Sequence, residues 1–488
     1  VAEWRTLVAR SRSGLVALLL VWLTGCAAVA PHRHPAFEGE GARTDPEVAR
    51  CVGFWRSLDD AIDGARVRDG QEVRVSGRPY LRANRLVASL LRTANAEERV
   101  ALVRTMRELD RKARNAELAN LPASVRAGLE STSAKPLEDT LARCGEVLLA
   151  TDATRGVLSV DVPDDYQTWK RAVGLYPLVK FPFFRGVRGY QSETERVFAL
   201  PLESLPVSGK LLRVTAAAPE LALPDLSLGR NLSDADLFAV AARHAPVFEI
   251  DVVDDNDRPG SPYLDKRGAV GVDTTHAQMQ VRLSHAPFAG ALRPQLVYSI
   301  WFPSRPRTGA LDLLGGSLDG ITWRVTLGDD GQPLLYDTIH NCGCYHQFFP
   351  TARVRARPAP GGFDEWAFVP QALPILREGE RTVVRVASRT HYLQRVSVAA
   401  SPPDSSILPM VHDDSLRSLP LPAGGRRSLF DADGIVRGSE RGERWLFWPM
   451  GVREPGAMRQ WGRHATAFLG RRHFDDPDLL DRYFEPAP

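Results

Sequence analysis

From residue 231 onward, runs of alternating apolar and polar residues follow one another with no helical pattern between them, and no other feature constrains the fold as much. Successive side chains of a strand point to opposite faces, so alternation marks segments with one face in a core. Val247–Val253, His276–Leu283, Leu296–Phe302, Ile321–Leu327, Leu334–Ile339 and Thr382–Val386 read as strands, several of them with that alternation. Gly328-Asp-Asp-Gly331 reads as the turn of a hairpin between two of them. Strands in direct succession predict an antiparallel sheet or sandwich, not a doubly wound fold. A short helix over Asp234–Ala242, capped by Asn231 or Ser233, precedes them. Helices near Gly456–Leu469 and Pro477–Tyr483 are expected to close the chain.

Residues 46–155 follow the helical period instead. Asp45-Pro46-Glu47 is a helix start, with Asp as cap and Pro in the first turn, and Val48, Val52, Trp55 and Leu58 follow at near-3.6 spacing. Asn95 with Glu98 makes a capping box ahead of Val100, Val103, Met106 and Leu109. Pro136 opens a further helix with Leu137, Leu141 and Leu148. The chain therefore reads as α+β: a helical module over 46–155, an irregular aromatic and Pro-rich connection over 156–230, and a β-rich module over 231–488. In the connection, Trp169, Tyr176, Phe181, Phe183 and Phe184 lie among Lys180, Arg185 and Arg188. Such a cluster either packs between modules, which is the expectation here, or faces lipid headgroups.

At the N-terminus, Arg5, Arg10 and Arg12 lead into the apolar run Leu15–Leu23, which Leu23-Thr24-Gly25-Cys26 closes. Basic flank, apolar segment and small residues are the parts of an export signal, and the run falls short of the roughly 20 residues that span a bilayer. The tetrapeptide resembles the lipobox of bacterial lipoproteins. That resemblance implies a signal peptide over 1–25, acylation (palmitate-type chains) at Cys26 and a tether over 26–45. Ala27 in place of Asp implies the outer membrane, with the protein facing the periplasm. More than one acyl chain makes such anchoring stable.

The net charge of +3 gives no argument for nucleic acid as a partner. Removing Cys26 by lipidation leaves four cysteines, Cys51, Cys144, Cys342 and Cys344. An even number in an oxidising compartment suggests disulfides, and Cys51–Cys144 is the simplest assignment within the helical module.

The densest chemistry lies in His340-Asn341-Cys342-Gly343-Cys344-Tyr345-His346. Thiolate and imidazole suit Zn or Cu, so His340, Cys342, Cys344 and His346 are candidate metal ligands, with His391, His464 and His473 as further ones. The Cys-x-Cys spacing is tighter than the usual zinc knuckle. A strained, exchange-prone Cys342–Cys344 disulfide and a plain structural turn are the rival readings. Asp319, Asp337 and His346 form a conceivable hydrolytic cluster beside apolar strands. Asp251 to Asp257 has alternating oxygen ligands but lacks the Gly and Glu of a calcium loop, and reads as a solvated turn. Eight arginines between Arg437 and Arg472, interleaved with Trp445, Trp448 and Trp461, suit a glycan or phosphate-bearing lipid unless they pair internally. No nucleophile elbow, P-loop or dinucleotide motif is present.

These readings converge on a periplasm-facing outer-membrane lipoprotein that acts as a binding or structural module for an envelope glycan, lipid or protein. A metal-dependent periplasmic hydrolase centred on His340–His346 is the alternative. A thiol–disulfide protein using Cys342 and Cys344 is the third.

Overall fold

The computed structural model describes residues 45–132, 136–151, 160–217, 224–230 and 232–488. The lipobox, Cys26 and Asn231 lie outside the described residues. The fold is α+β, with a helical region followed by a β-rich one.

Helix α1 (Pro46–Ala65) starts where the sequence indicates, with the Asp45 carboxylate accepting from the backbone N–H groups of Glu47 and Val48. A hairpin of β1 (Val73–Val75) and β2 (Arg78–Ala83) follows, which the helical reading of 46–155 does not contain. Then come α2 (Arg85–Thr93), α3 (Ala96–Asn120), α4 (Ala123–Thr132) and α5 (Leu137–Thr151). The Asn95–Glu98 capping box opens α3. Cys51 on α1 and Cys144 on α5 are disulfide-bonded. Beneath the hairpin, Arg82 and Arg114 are fully buried against Asp110 and Glu117. Burial disfavours the Glu117 charge, yet Arg82, Arg114 and Arg74 hold its carboxyl down at about 2.

The connection holds more order than the sequence suggests. α6 (Thr168–Val173) and the 23-residue α7 (Tyr176–Phe198) replace the expected irregular segment. Pro177 sits in the first turn of α7, where no amide partner is lost, and Pro182 is accommodated inside it.

After β3 (Lys210–Thr215), Ser233 caps α8 (Asp234–His244). The strands run β4 (Val247–Val252), β5 (Ser261–Leu264), β6 (Val270–Asp273), β7 (Met279–Phe288), β8 (Ala291–Arg305), β9 (Gly316–Leu327), β10 (Pro333–His340) and β11 (Gln347–Pro350). Later come β12 (Val354–Ala356), β13 (Glu380–Val386), β14 (Leu393–Ala400), β15 (Ser406–Ile407) and β16 (Met410–His412). The large sheet has the order β11-β10-β9-β8-β7-β16, and the smaller one β14-β13-β4-β3-β15. Strands β7 to β11 form the antiparallel meander that the alternation indicates. Parallel pairs β16–β7, β13–β4 and β15–β3 make both sheets mixed.

One face of the large sheet packs on α8 and the smaller sheet through Ile321, Trp323 and Val325 of β9, Phe248 and Ile250 of β4, and Val240 of α8. The alternate residues of β9, Thr322, Arg324 and Thr326, are also buried. That second, polar face is covered by the C-terminal segment, so alternation there separates apolar core from hydrogen-bonded core. Residues 456–469 form irregular turns in place of the expected helix; α9 (Arg444–Phe447) precedes them and α10 (Leu479–Tyr483) follows. Backbone hydrogen bonds from this segment reach other loops, as in Arg459 N–H to Asn341 O.

Buried arginines join the two regions. Arg417 pairs with Asp69 and Glu72, and Arg85 with Asp165 and Asp475.

Candidate functional site

β10 ends at His340, and the chain turns back through Cys342-Gly343-Cys344 with His340 N–H bonded to Cys344 O and Gly343 N–H to His340 O. Gly343 has φ 91 and lies so close to Ala465 O that a side chain has no room. Tyr345 follows at φ 61, an unusual conformation for a bulky residue.

This turn sends its two histidines to different carboxylates. His340 Nδ1 lies 3.3 Å from Asp319 Oδ1, and His346 Nε2 lies 2.9 Å from Asp337 Oδ2. His391, also at positive φ, bridges Asp319 (2.9 Å) and Asp257 (3.5 Å) and stacks at 4.0 Å on Phe302. Burial opposes the Asp319 charge, yet Arg441 at 3.1 Å and the two imidazoles hold its carboxyl well below the usual range. Burial pulls His391 down, but its two carboxylate partners outweigh this and raise it. Asp257, read from sequence as part of a solvated turn, is fully buried in this network. The second pair is separate: Asp337 also takes Arg324, and burial pushes His346 down to about 3, leaving a neutral imidazole.

The candidate metal set is therefore not assembled around one point. Among the described residues, no group of three or more His, Cys, Asp or Glu is placed to hold a metal ion. His464 touches the turn through its backbone at Gly343 while its ring lies 6.3 Å from the ring of Phe474. His473 lies edge-on to Tyr166 and near Asp476. Cys342 and Cys344 are free thiols with their side chains in hydrogen-bond contact. That contact with Cys344 lowers Cys342 despite its burial, and Arg441 adds to the effect. Cys344 moves well above the ordinary thiol value through the same contact and its own burial.

The arginines of 437–472 are mostly committed within the protein. Arg437 pairs with Asp431, Arg453 with Asp433 and Arg471 with Asp164, while Arg459 donates to backbone carbonyls.

The turn instead forms one wall of a cavity of about 780 Å³. Val179, Phe183, Val187 and Tyr190 of α7 roof it at i, i+4, i+8 and i+11, one helical face. Phe447, Phe468 and Trp448 close the far side, with Phe183 and Phe447 rings 5.2 Å apart. Ligand sites of this size are mostly apolar with a few placed polar groups. Here those groups include a tyrosine cluster and an acid. Tyr345 and Tyr392 hydroxyls are 2.8 Å apart, Arg305 donates to Tyr392, and Gln347 donates to Tyr190.

Glu443 lines the same cavity at 3% exposure. Its carboxylate has no hydrogen-bond or ion-pair partner among the described residues, and burial raises it to about 7 against the pull of Arg441 and Arg305. Gly456, at φ 82, lies directly against this carboxylate, leaving no room for a Cβ there.

Sequence reasoning places the Cys-Gly-Cys turn but misses the cavity, Glu443 and α7. The spacing of Val179, Phe183, Val187, Tyr190, Thr194 and Phe198 carries the helical signal, obscured by Pro177, Pro182, Gly186 and Gly189. Comparison with protein-family models, curated proteins and solved structures finds no match to this chain.

Proposed function

We propose that this chain is a lipid-anchored, periplasm-facing outer-membrane protein whose β-rich region binds an apolar envelope ligand bearing an acyl chain or ring system. The observation that carries this reading is the aromatic-walled cavity of about 780 Å³, with the unpartnered Glu443 in its wall. Filling it removes apolar side chains from water at roughly 25 cal/mol per Å². A donor on the ligand meets Glu443, which lines the cavity. The lipobox-like Leu23–Cys26 supports the anchor and the address. Native mass spectrometry of the chain purified from membranes tests the binding, followed by organic extraction. A co-purifying amphiphile at one per chain supports it. A chain that stays empty after incubation with mixed envelope lipids refutes it.

A second reading, thiol–disulfide exchange, is favoured by the contact between the Cys342 and Cys344 thiols beside Arg441. The Cys342 thiolate attacks the disulfide of a partner, Cys344 displaces the partner sulfur, and the partner leaves as two thiols while Cys342–Cys344 closes. Thiol trapping across a series of glutathione redox ratios tests it. Two thiols that remain alkylatable at every ratio end this reading.

A further inference from the structure

The outer face of the cavity roof is unlike the rest of the surface. α7 turns Val179, Phe183, Val187 and Tyr190 inward, and the opposite side presents Leu178, Phe181, Arg185 and Arg188. Leu178 is 65% exposed, and Leu175, at φ 51 in the turn before α7, is 59% exposed. Trp169 on α6 and Trp445 on α9 are 60% and 72% exposed. These elements are neighbours, because α6, α7 and α9 all pack on the turn Trp448–Met450. Singly exposed apolar residues need no explanation, whereas a contiguous set around a cavity marks an interaction site.

The charge of this face names the partner. From Tyr166 to Ser192 the sequence contains five cations and no Asp or Glu; Arg171 is held inward by the carbonyls of Met450 and Gly470, and Lys170, Lys180, Arg185 and Arg188 remain for this face. Nearby acids are taken up: Asp164 by Arg471 and Glu454 by Arg444. Arg185 has no carboxylate partner among the described residues. Three exposed aromatics each carry a cation at their ring: Lys170 at Trp169 (5.9 Å), Lys180 at Phe181 (5.7 Å) and Arg444 at Trp445 (4.9 Å). Aromatic rings that enter the boundary of acyl chains, beside cations that stay with the headgroups, are how a helix lies on a bilayer. A protein partner of ordinary composition offers no matching sheet of anionic charge.

We infer that this face, built from α6, the N-terminal half of α7 and α9, docks on an anionic lipid bilayer surface. The inference goes beyond ligand binding and stands or falls separately from it.

The test uses the full chain carrying Cys26→Ser, which has no acyl group, in co-sedimentation with vesicles of phosphatidylglycerol and phosphatidylcholine or of phosphatidylcholine alone. The account expects binding to the mixed vesicles that weakens with salt. Lys180→Glu with Arg185→Glu lowers the affinity by about 30-fold or more, as two cations near a charged bilayer imply. Trp169→Ser with Trp445→Ser lowers it on both vesicle types. Val187→Trp, which puts a ring into the cavity and not onto the outer face, leaves vesicle binding in place, so failure of the cavity reading and of this one are distinguishable. Circular dichroism checks that each variant is folded. Equal binding of parent and both surface pairs overturns the inference. So does no vesicle binding, whether the chain stays monomeric or self-associates in the ultracentrifuge through a face that the Trp pair abolishes.

Discussion

Replacing Glu443 by Gln keeps the shape of the side chain in the cavity wall and removes its charge. In the folded protein this carboxyl sits at about 7, against an ordinary 4.5, because burial outweighs the attraction of Arg441 and Arg305, with Asp319 and Asp312 adding to the rise. Below pH 4.5 both folded and unfolded chains hold the proton, and Glu443 has no net effect. As the pH climbs from 4.5 to 7 the unfolded chain releases its proton while the folded one keeps it, so stability falls. Above 7 the loss levels off at about 3 kcal/mol, from 1.36 kcal/mol for each pH unit that separates the two values. Glu443→Gln abolishes that penalty. Melting of ligand-free protein, followed by scanning fluorimetry from pH 4.5 to 8.5, should show the two proteins coinciding at the acid end. The variant should melt higher above pH 7. A difference that is constant with pH, or a variant that melts lower at pH 8, refutes the reasoning.

Glu117 has the opposite sign. Its carboxyl is held at about 2 by Arg82, Arg114 and Arg74, so its stabilisation is complete above 4.5 and lost as the pH falls toward 2. Glu117→Gln should cost about 3 kcal/mol at pH 7 in urea unfolding of the helical region, and progressively less below pH 4.5. Cys51→Ala with Cys144→Ala opens a loop with a separation of 93 residues. The loss should be about 4 kcal/mol, read as an earlier thermal transition that a reductant no longer shifts. Asp319→Asn removes the charge shared by His340, His391 and Arg441 and should destabilise the β-rich region by about 3–5 kcal/mol, measured by denaturant titration.

The strands were legible because alternation reports which side of a strand meets apolar neighbours, and β9 from Ile321 to Leu327 obeys it residue by residue. Asp45, Asn95 and Ser233 mark helix starts because capping is a local event settled within a few residues. The Cys51–Cys144 bridge is the simplest of the three pairings that four cysteines allow, and it forms, whereas the even count also suggests a bridge at Cys342 and Cys344, which are free thiols. Residues 456–469 fail as a helix because they are held by contacts with Asn341 and the Cys-Gly-Cys turn, a tertiary demand that overrides periodicity. Asp319, Asp337 and His346 stand out together in the sequence, but which carboxylate takes which of the two histidines does not, for the same reason. Asp319 and Asp337 reach them through the register of β9 and β10, in which His340 faces Ile321 and Asp337 faces Arg324. Glu443 carried no sequence signal, since a glutamate in a loop between arginines resembles any solvated acid until its burial is known.

The most direct measurement is an equilibrium titration of the chain with a fluorescent fatty-acid analogue, comparing the wild type with Val187→Trp. The account predicts saturable one-to-one binding to the wild type, competed by unlabelled amphiphile, and weaker binding when the tryptophan ring narrows the space beneath α7. Absence of saturable binding to the wild type, or equal binding by the narrowed variant, would contradict it.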